Sequence, residues 1–147
     1  MYSKLINALS RAIWDSDLVA TRLTLALGEF LWAFMLILWG GSQHLFSRPT
    51  YAQMSQVMNE ESWGAIFLIS AIMQLTIVLQ DDLHGKFARY FAAFNACLWT
   101  YVCVSMLLSV YPPPAAIGGE FALAVSAIWI WIRPYILVEG IRRARQN

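Results

Sequence analysis

The chain has 147 residues, of which 59% are hydrophobic and only 13% charged, with a formal net charge of +1. Soluble domains carry about a quarter charged residues, so an ordinary water-soluble globule is excluded, and the length leaves room for one membrane domain, 1–147, without a separate soluble one. No basic, aromatic-interleaved face is present, which argues against nucleic acid as a partner.

Residues 2–14 place Tyr2, Leu5, Ile6, Leu9 and Ile13 on one helical stripe, with Lys4, Asn7 and Arg11 off it. That spacing predicts an amphipathic helix lying in the membrane interface, with Trp14 at headgroup depth. Asp15-Ser16-Asp17 then interrupts the pattern and offers a capping side chain to the next helix. Four apolar stretches follow, at 23–41, 63–80, 87–111 and 121–138. Crossing a bilayer as a helix takes roughly 20 apolar residues, so each is predicted to span. The first is too long for the apolar part of a cleaved signal, and no small-x-small site follows Gly40-Gly41.

With four spans the termini share a side. Lys4, Arg11, Arg22, Lys86, Arg89, Arg133, Arg142, Arg143 and Arg145 fall on that side, and only Arg48 on the other. The bias of basic residues towards the inside puts both termini in the cytoplasm. The expected architecture is therefore an all-α membrane protein, a four-transmembrane-helix bundle with an N-terminal interfacial helix.

The outer loop at 42–62 is the longest connection. Arg48 precedes Pro49 and is held extended; Thr50 with Gln53 fits a capping box that opens a short helix over 51–58. Tyr51, Met54, Val57 and Met58 share one face of it, predicting either a lid on the bundle or an exposed contact surface. Asn59 or Ser62 is positioned to cap the second span, with Glu60 and Glu61 in its first turn. The inner turn Asp81-Asp82-Leu83-His84-Gly85-Lys86 reads as a solvated turn in which acidic and basic pairs offset each other, rather than as a metal site. Tyr111-Pro112-Pro113-Pro114 ends the third span.

Polar residues inside the spans are few, and intramembrane charge is a functional candidate by default. Glu29 lies about 9 Å below the cytoplasmic boundary of span one, and Arg133 lies roughly 12 Å from the same boundary in the antiparallel span four. The matching depth predicts a buried Glu29–Arg133 ion pair, with Arg22 as the competing partner. Such a pair either fixes helix register or makes Glu29 a protonatable group on an ion path. Spans two and three supply only Gln74, Thr76, Asn95 and Thr100, which favours the register role. Ser70 and Gln74 are expected to reach Asn95, and Gly28 to admit a close helix. Ala92, Ala96 and Thr100, with Ala122 and Ser126, form small-residue stripes. Trp39 and Trp63 read as belt residues, whereas Trp32, Trp99, Trp129 and Trp131 fill space or face lipid. Cys97 and Cys103 lie on different faces of one span.

His44 and His84 fall on opposite sides, and no nucleophile, phosphate-loop or haem motif is present. An enzyme, a metal site and a cofactor are therefore not expected. The run Arg48-Pro49-Thr50-Tyr51-Ala52-Gln53-Met54, then Glu61-Ser62-Trp63-Gly64, a Gln74-Leu75 span, a Pro-rich turn and an Ile-Trp-Ile-Arg ending resembles small four-span membrane proteins of tailed phages and prophages. The resemblance implies a phage or prophage origin and a bacterial inner-membrane address, without carrying over any functional residue. Three activities are then expected to compete: holin-like permeabilisation by a homo-oligomer, contact with another membrane protein in an envelope process such as superinfection exclusion, or ion or proton conduction through Glu29.

Overall fold

A computed structural model describes the backbone of residues 2–39, 45–80, 83, 85–110 and 117–144, and side chains within 16–38, 45–80, 83, 85–110 and 117–136. The described chain is helical. Helix α1 spans Tyr2–Phe34 and runs into a π-turn at Met35–Trp39. Two 3₁₀ turns, Leu45–Ser47 and Pro49–Tyr51, lead to the single-turn helix α2, Ala52–Ser55. Helices α3 (Glu60–Leu79), α4 (Lys86–Ser109) and α5 (Ile117–Ala144) follow.

Three segments are long and apolar enough to cross a membrane: Ser16–Leu38, Glu60–Leu79 and Lys86–Ser109. Length and composition thus support membrane association. Helix α5, the predicted fourth span, has 28 residues, begins four residues before the predicted boundary and continues through Pro134.

Two sequence expectations are revised here. Helix α1 passes without a break through Asp15-Ser16-Asp17, where a junction between an interfacial helix and span one is predicted. Asp and Ser cost a helix interior only a few tenths of a kcal/mol each, and neither Gly nor Pro is present to force a stop. Thr21 and Thr24 instead donate back to the carbonyls of Asp17 and Ala20. The capping box at Thr50 does not form either. The 3₁₀ turn starts behind extended Arg48 with Pro49 in its first position, and α2 has no side-chain cap. Asn59, by contrast, caps α3 as expected, accepting from the Ser62 amide at 2.9 Å.

Helix α1 packs along α3, α4 packs along α5, and α1 also touches α5. Between α3 and α4 the contact is made by large side chains. Trp63, Phe67 and Trp99 are wholly or nearly buried, and Trp32 of α1 sits against Phe67 (5.4 Å between ring centroids) and Trp99 (6.2 Å). Trp63 is therefore a core residue rather than a belt residue; its indole N–H donates to the Met54 carbonyl at 3.1 Å. The side chain of Trp39 lies outside the described residues. Ala92 and Ala96 line the interior, but the small residues of α5 that face inward are Ala124 and Ala127, not Ala122.

Two glycines mark close approaches. A Cβ on Gly28 would lie 2.9 Å from the Leu123 methyls, and one on Gly64 would lie 2.5 Å from Ile37 Cγ1 and 3.3 Å from Leu36 Cβ. Leu123 can rotate away, whereas Ile37 Cγ1 sits close to its own backbone. Gly64→Ala is expected to destabilise the fold by about 1–3 kcal/mol through overpacking. Gly28→Ala should cost less, and Gly119→Ala, with open space around it, should be neutral or stabilising. Thermal unfolding of the purified variants in one detergent would show this order.

Candidate functional site

Helices α1, α3, α4 and α5 turn their few polar side chains towards one another. Arg22, Glu29, Ser70, Gln74, Asn95 and Arg133 are all buried, and Glu29 and Asn95 have no exposed surface. Burial of this kind without partners is costly, so the bonding of each group determines what the cluster can do.

Arg22 is the most connected. Its guanidinium donates to Gln74 Oε1 at 2.7 Å and to the Ala88 carbonyl at 3.2 Å, joining α1 to α3 and α4. Hydrogen bonds from a charged donor contribute about 1.5–3 kcal/mol each. That is comparable to the roughly 2.5–3.5 kcal/mol cost of placing an arginine at the centre of a membrane helix. About two turns further along α1, the Glu29 carboxylate accepts from Trp99 Nε1 at 3.3 Å, and the Ser70 hydroxyl lies within reach of it. The Ser70 proton is directed to Asn95 Oδ1, 3.0 Å away, so Glu29 Oε2 and Asn95 Nδ2 both lack a hydrogen-bond partner. A half-turn of the Asn95 amide removes both deficits. Nδ2 would then donate to Ser70, and the freed hydroxyl proton to Glu29.

The predicted Glu29–Arg133 pair is not made. Arg133 instead faces Asp17, with Nη1–Oδ2 at 3.7 Å. Helix α1 carries Asp17 and Glu29 about 18 Å apart, and the packing of α5 sets Arg133 at the Asp17 level. The Asp17 side chain is 59% exposed, so this pair contributes at most about 1 kcal/mol. Arg22, the competing candidate, also points away from Glu29, to Gln74 and Ala88. Among the described residues no cation pairs with Glu29. Composition gave no signal for Trp99 as its donor, whereas Asp17 was discoverable as an acid at the same end of antiparallel helices as Arg133.

The polar groups therefore form a column rather than a pair: Asp17 and Arg133, then Arg22 and Gln74, then Ser70 and Asn95, then Glu29 and Trp99. Above Glu29 the column ends under aromatic rings. Trp99, Phe67, Trp32 and Trp63 adjoin one another, and Tyr51 and Phe46 continue the stack. The loop segment seals this end. Met54 and Leu45 are buried, Tyr51 and Met58 are half-buried against the core, and of the proposed contact face only Val57 is exposed. The predicted face is thus a lid, because its apolar side chains gain more by joining the core than by meeting water.

Glu120 enters the lid end from α5. Burial raises its carboxyl above the usual 4.5, and its Oε2 lacks a hydrogen bond. Burial, then the nearby Glu120 charge, likewise pushes the Tyr51 hydroxyl up. Asp81, Asp82, His84 and His44 lie outside the described residues. Among the described residues no group of His, Cys, Asp and Glu is arranged to hold a metal. Comparison with models of known families, with curated proteins and with solved structures finds no match.

Two outcomes test this geometry. Gln74→Leu leaves Arg22 short of its best acceptor and should destabilise by about 1.5–3 kcal/mol, with Gln74→Glu milder. A carboxyl raised in the fold favours folding when protonated, so stability should fall as pH rises from 4.5 through the shifted Glu120 value. Glu120→Gln should flatten that segment of a stability–pH profile.

Proposed function

We propose that this chain is a four-span protein of a bacterial inner membrane, with both termini cytoplasmic, of phage or prophage origin. It acts without catalysis, through contact with another membrane protein or with copies of itself. The observation that carries this reading is the division of surfaces. Arg22, Glu29, Gln74, Asn95 and Arg133 turn inward, while Leu27, Phe30, Leu31 and Phe34 of α1 and Ile69, Ile72 and Leu79 of α3 are exposed. Exposed apolar helix faces suit lipid and helix partners. The nine-to-one distribution of basic residues supports the orientation.

Between permeabilisation and an envelope interaction, the lidded core favours the latter. A holin-like oligomer needs a polar helix face to line a lumen, and here those groups bond to one another inside a single bundle. Controlled expression in bacteria, with membrane potential and lysis followed together, separates the two. Unchanged potential with altered phage adsorption or genome entry is expected. Prompt depolarisation and lysis would overturn the interaction reading. A C-terminal reporter that is active only in the cytoplasm tests the orientation, and its silence would reverse it.

A second reading has its own support. The column from Asp17 to Glu29 supplies hydrogen-bonding groups at successive depths, with titratable carboxyls at its two ends. Protons entering at Asp17 would reach Glu29 along it and would cross the aromatic end only when that end opens. Reconstituted protein would then show a pH-dependent proton current that Glu29→Gln abolishes. An identical current in the variant, or none in the native protein, eliminates this reading.

A further inference from the structure

On the outer side of α4 and α5, away from the polar column, Lys86, Arg89, Tyr90, Ala93, Trp131 and Tyr135 line a cavity of about 410 Å³. Helical spacing makes the site. Lys86, Arg89, Tyr90 and Ala93 fall at three- and four-residue intervals on one face of α4, and Trp131 and Tyr135 do so on α5. Both cations are exposed, no carboxylate lines the cavity, and among the described residues neither Lys86 nor Arg89 has an acidic partner. Among the described residues the site therefore holds two positive charges with no carboxylate in its lining. Around them stand Tyr90, Trp131 and Tyr135, ring systems with one N–H or O–H donor each, the residue types that settle at headgroup depth. One turn further along α4, Phe94 and Cys97 are exposed, so the charged groove opens onto an apolar track.

A cationic groove rimmed with amphipathic rings and continuing into an apolar furrow matches one chemistry: a phosphate carrying a net negative charge and attached to acyl chains. We propose that this cavity binds an anionic phospholipid. Its phosphate sits between Lys86 and Arg89, its glycerol–ester region lies against Trp131 and Tyr135, and one acyl chain runs past Ala93 towards Phe94. Basic pockets between membrane helices on the cytoplasmic side are suited to such headgroups. The inference rests on the four-span, cytoplasmic-termini reading, which puts Lys86 and Arg89 at the inner leaflet. It adds a ligand that this reading does not require.

The full-length protein, purified in mild detergent, is titrated with phosphatidylglycerol and, separately, phosphatidylcholine of the same chains, with retained lipid counted by native mass spectrometry. Phosphatidylglycerol should bind more tightly. The double variant Lys86→Gln/Arg89→Gln should weaken it about 30-fold, from roughly fivefold per charge, and leave phosphatidylcholine unchanged. Lys86→Arg/Arg89→Lys should restore most of the preference. Both side chains are exposed, so the double variant should unfold at the native temperature. Equal retention of the two lipids overturns the proposal. So does an equal loss in Arg142→Gln/Arg143→Gln, which would signal diffuse attraction to the basic tail. Displacement of phosphatidylglycerol by inorganic phosphate at the same concentration would identify a free-phosphate site and overturn lipid binding. A chain that leaves the membrane fraction without detergent would fail the four-span reading itself, before any lipid is added.

Discussion

Arg22 is the interaction on which the rest of this structure depends. A guanidinium cannot lose its charge and carries five N–H groups, so its burial in an apolar bundle forces neighbouring helices to supply acceptors at fixed positions. Gln74 supplies one from α3 and the Ala88 carbonyl one from α4, so three helices are set in register at one level. Once that level is fixed, Glu29, about two turns along α1, must fall opposite Ser70 and Trp99. The close approach of Gly64 to Ile37 and Leu36 resists sliding of α1 on α3 through packing alone. The buried arginine adds a polar register at a second level.

The interior is thereby divided lengthwise. The half near Asp17 and Arg133 is polar and bonded across helices; the half near the lid is a mass of rings, with the half-buried Glu120 at its margin. Glu29 lies at the boundary, with Trp99 serving both halves through its indole N–H on one side and its faces against Phe67 and Trp32 on the other. The lid follows from the second half. Trp63 and Trp32 offer a broad apolar floor, and Met54, Tyr51 and Leu45 cover it, with the Phe46 amide anchored to the Glu60 carboxylate at the start of α3.

The residues that were legible in the sequence are those whose environment is decided locally. Asn59 caps its helix because the cap needs only the next three residues, and the helical extents 63–80 and 87–111 come within three residues of α3 and α4 because apolar length is a local property. Ser70 meets Asn95 as expected, since both are central polar residues of neighbouring helices, whereas Gln74, expected there too, accepts from Arg22 instead. What was not legible depends on the axial offset between helices. The level of Arg133 relative to α1 depends on how the two helices pack, and it made Asp17 rather than Glu29 the partner. The face of Met54 and Tyr51 was also readable as a stripe, but not the side on which it would be covered, because the floor beneath it is built by residues of three other segments.

The unbroken course of α1 has a mechanical meaning. Its 33 residues make a rod of roughly 50 Å, about 20 Å longer than the hydrocarbon it would cross. With no hinge at Asp15-Ser16-Asp17, the first turns and the buried residues form one shaft. A torque or axial pull on the N-terminal segment would reach Arg22 and Glu29 with no hinge between. A rotation by one residue step, about 100°, would swing both out of the bundle interior together. The N-terminal segment is thus continuous with the shaft that carries the polar column, rather than hinged to it.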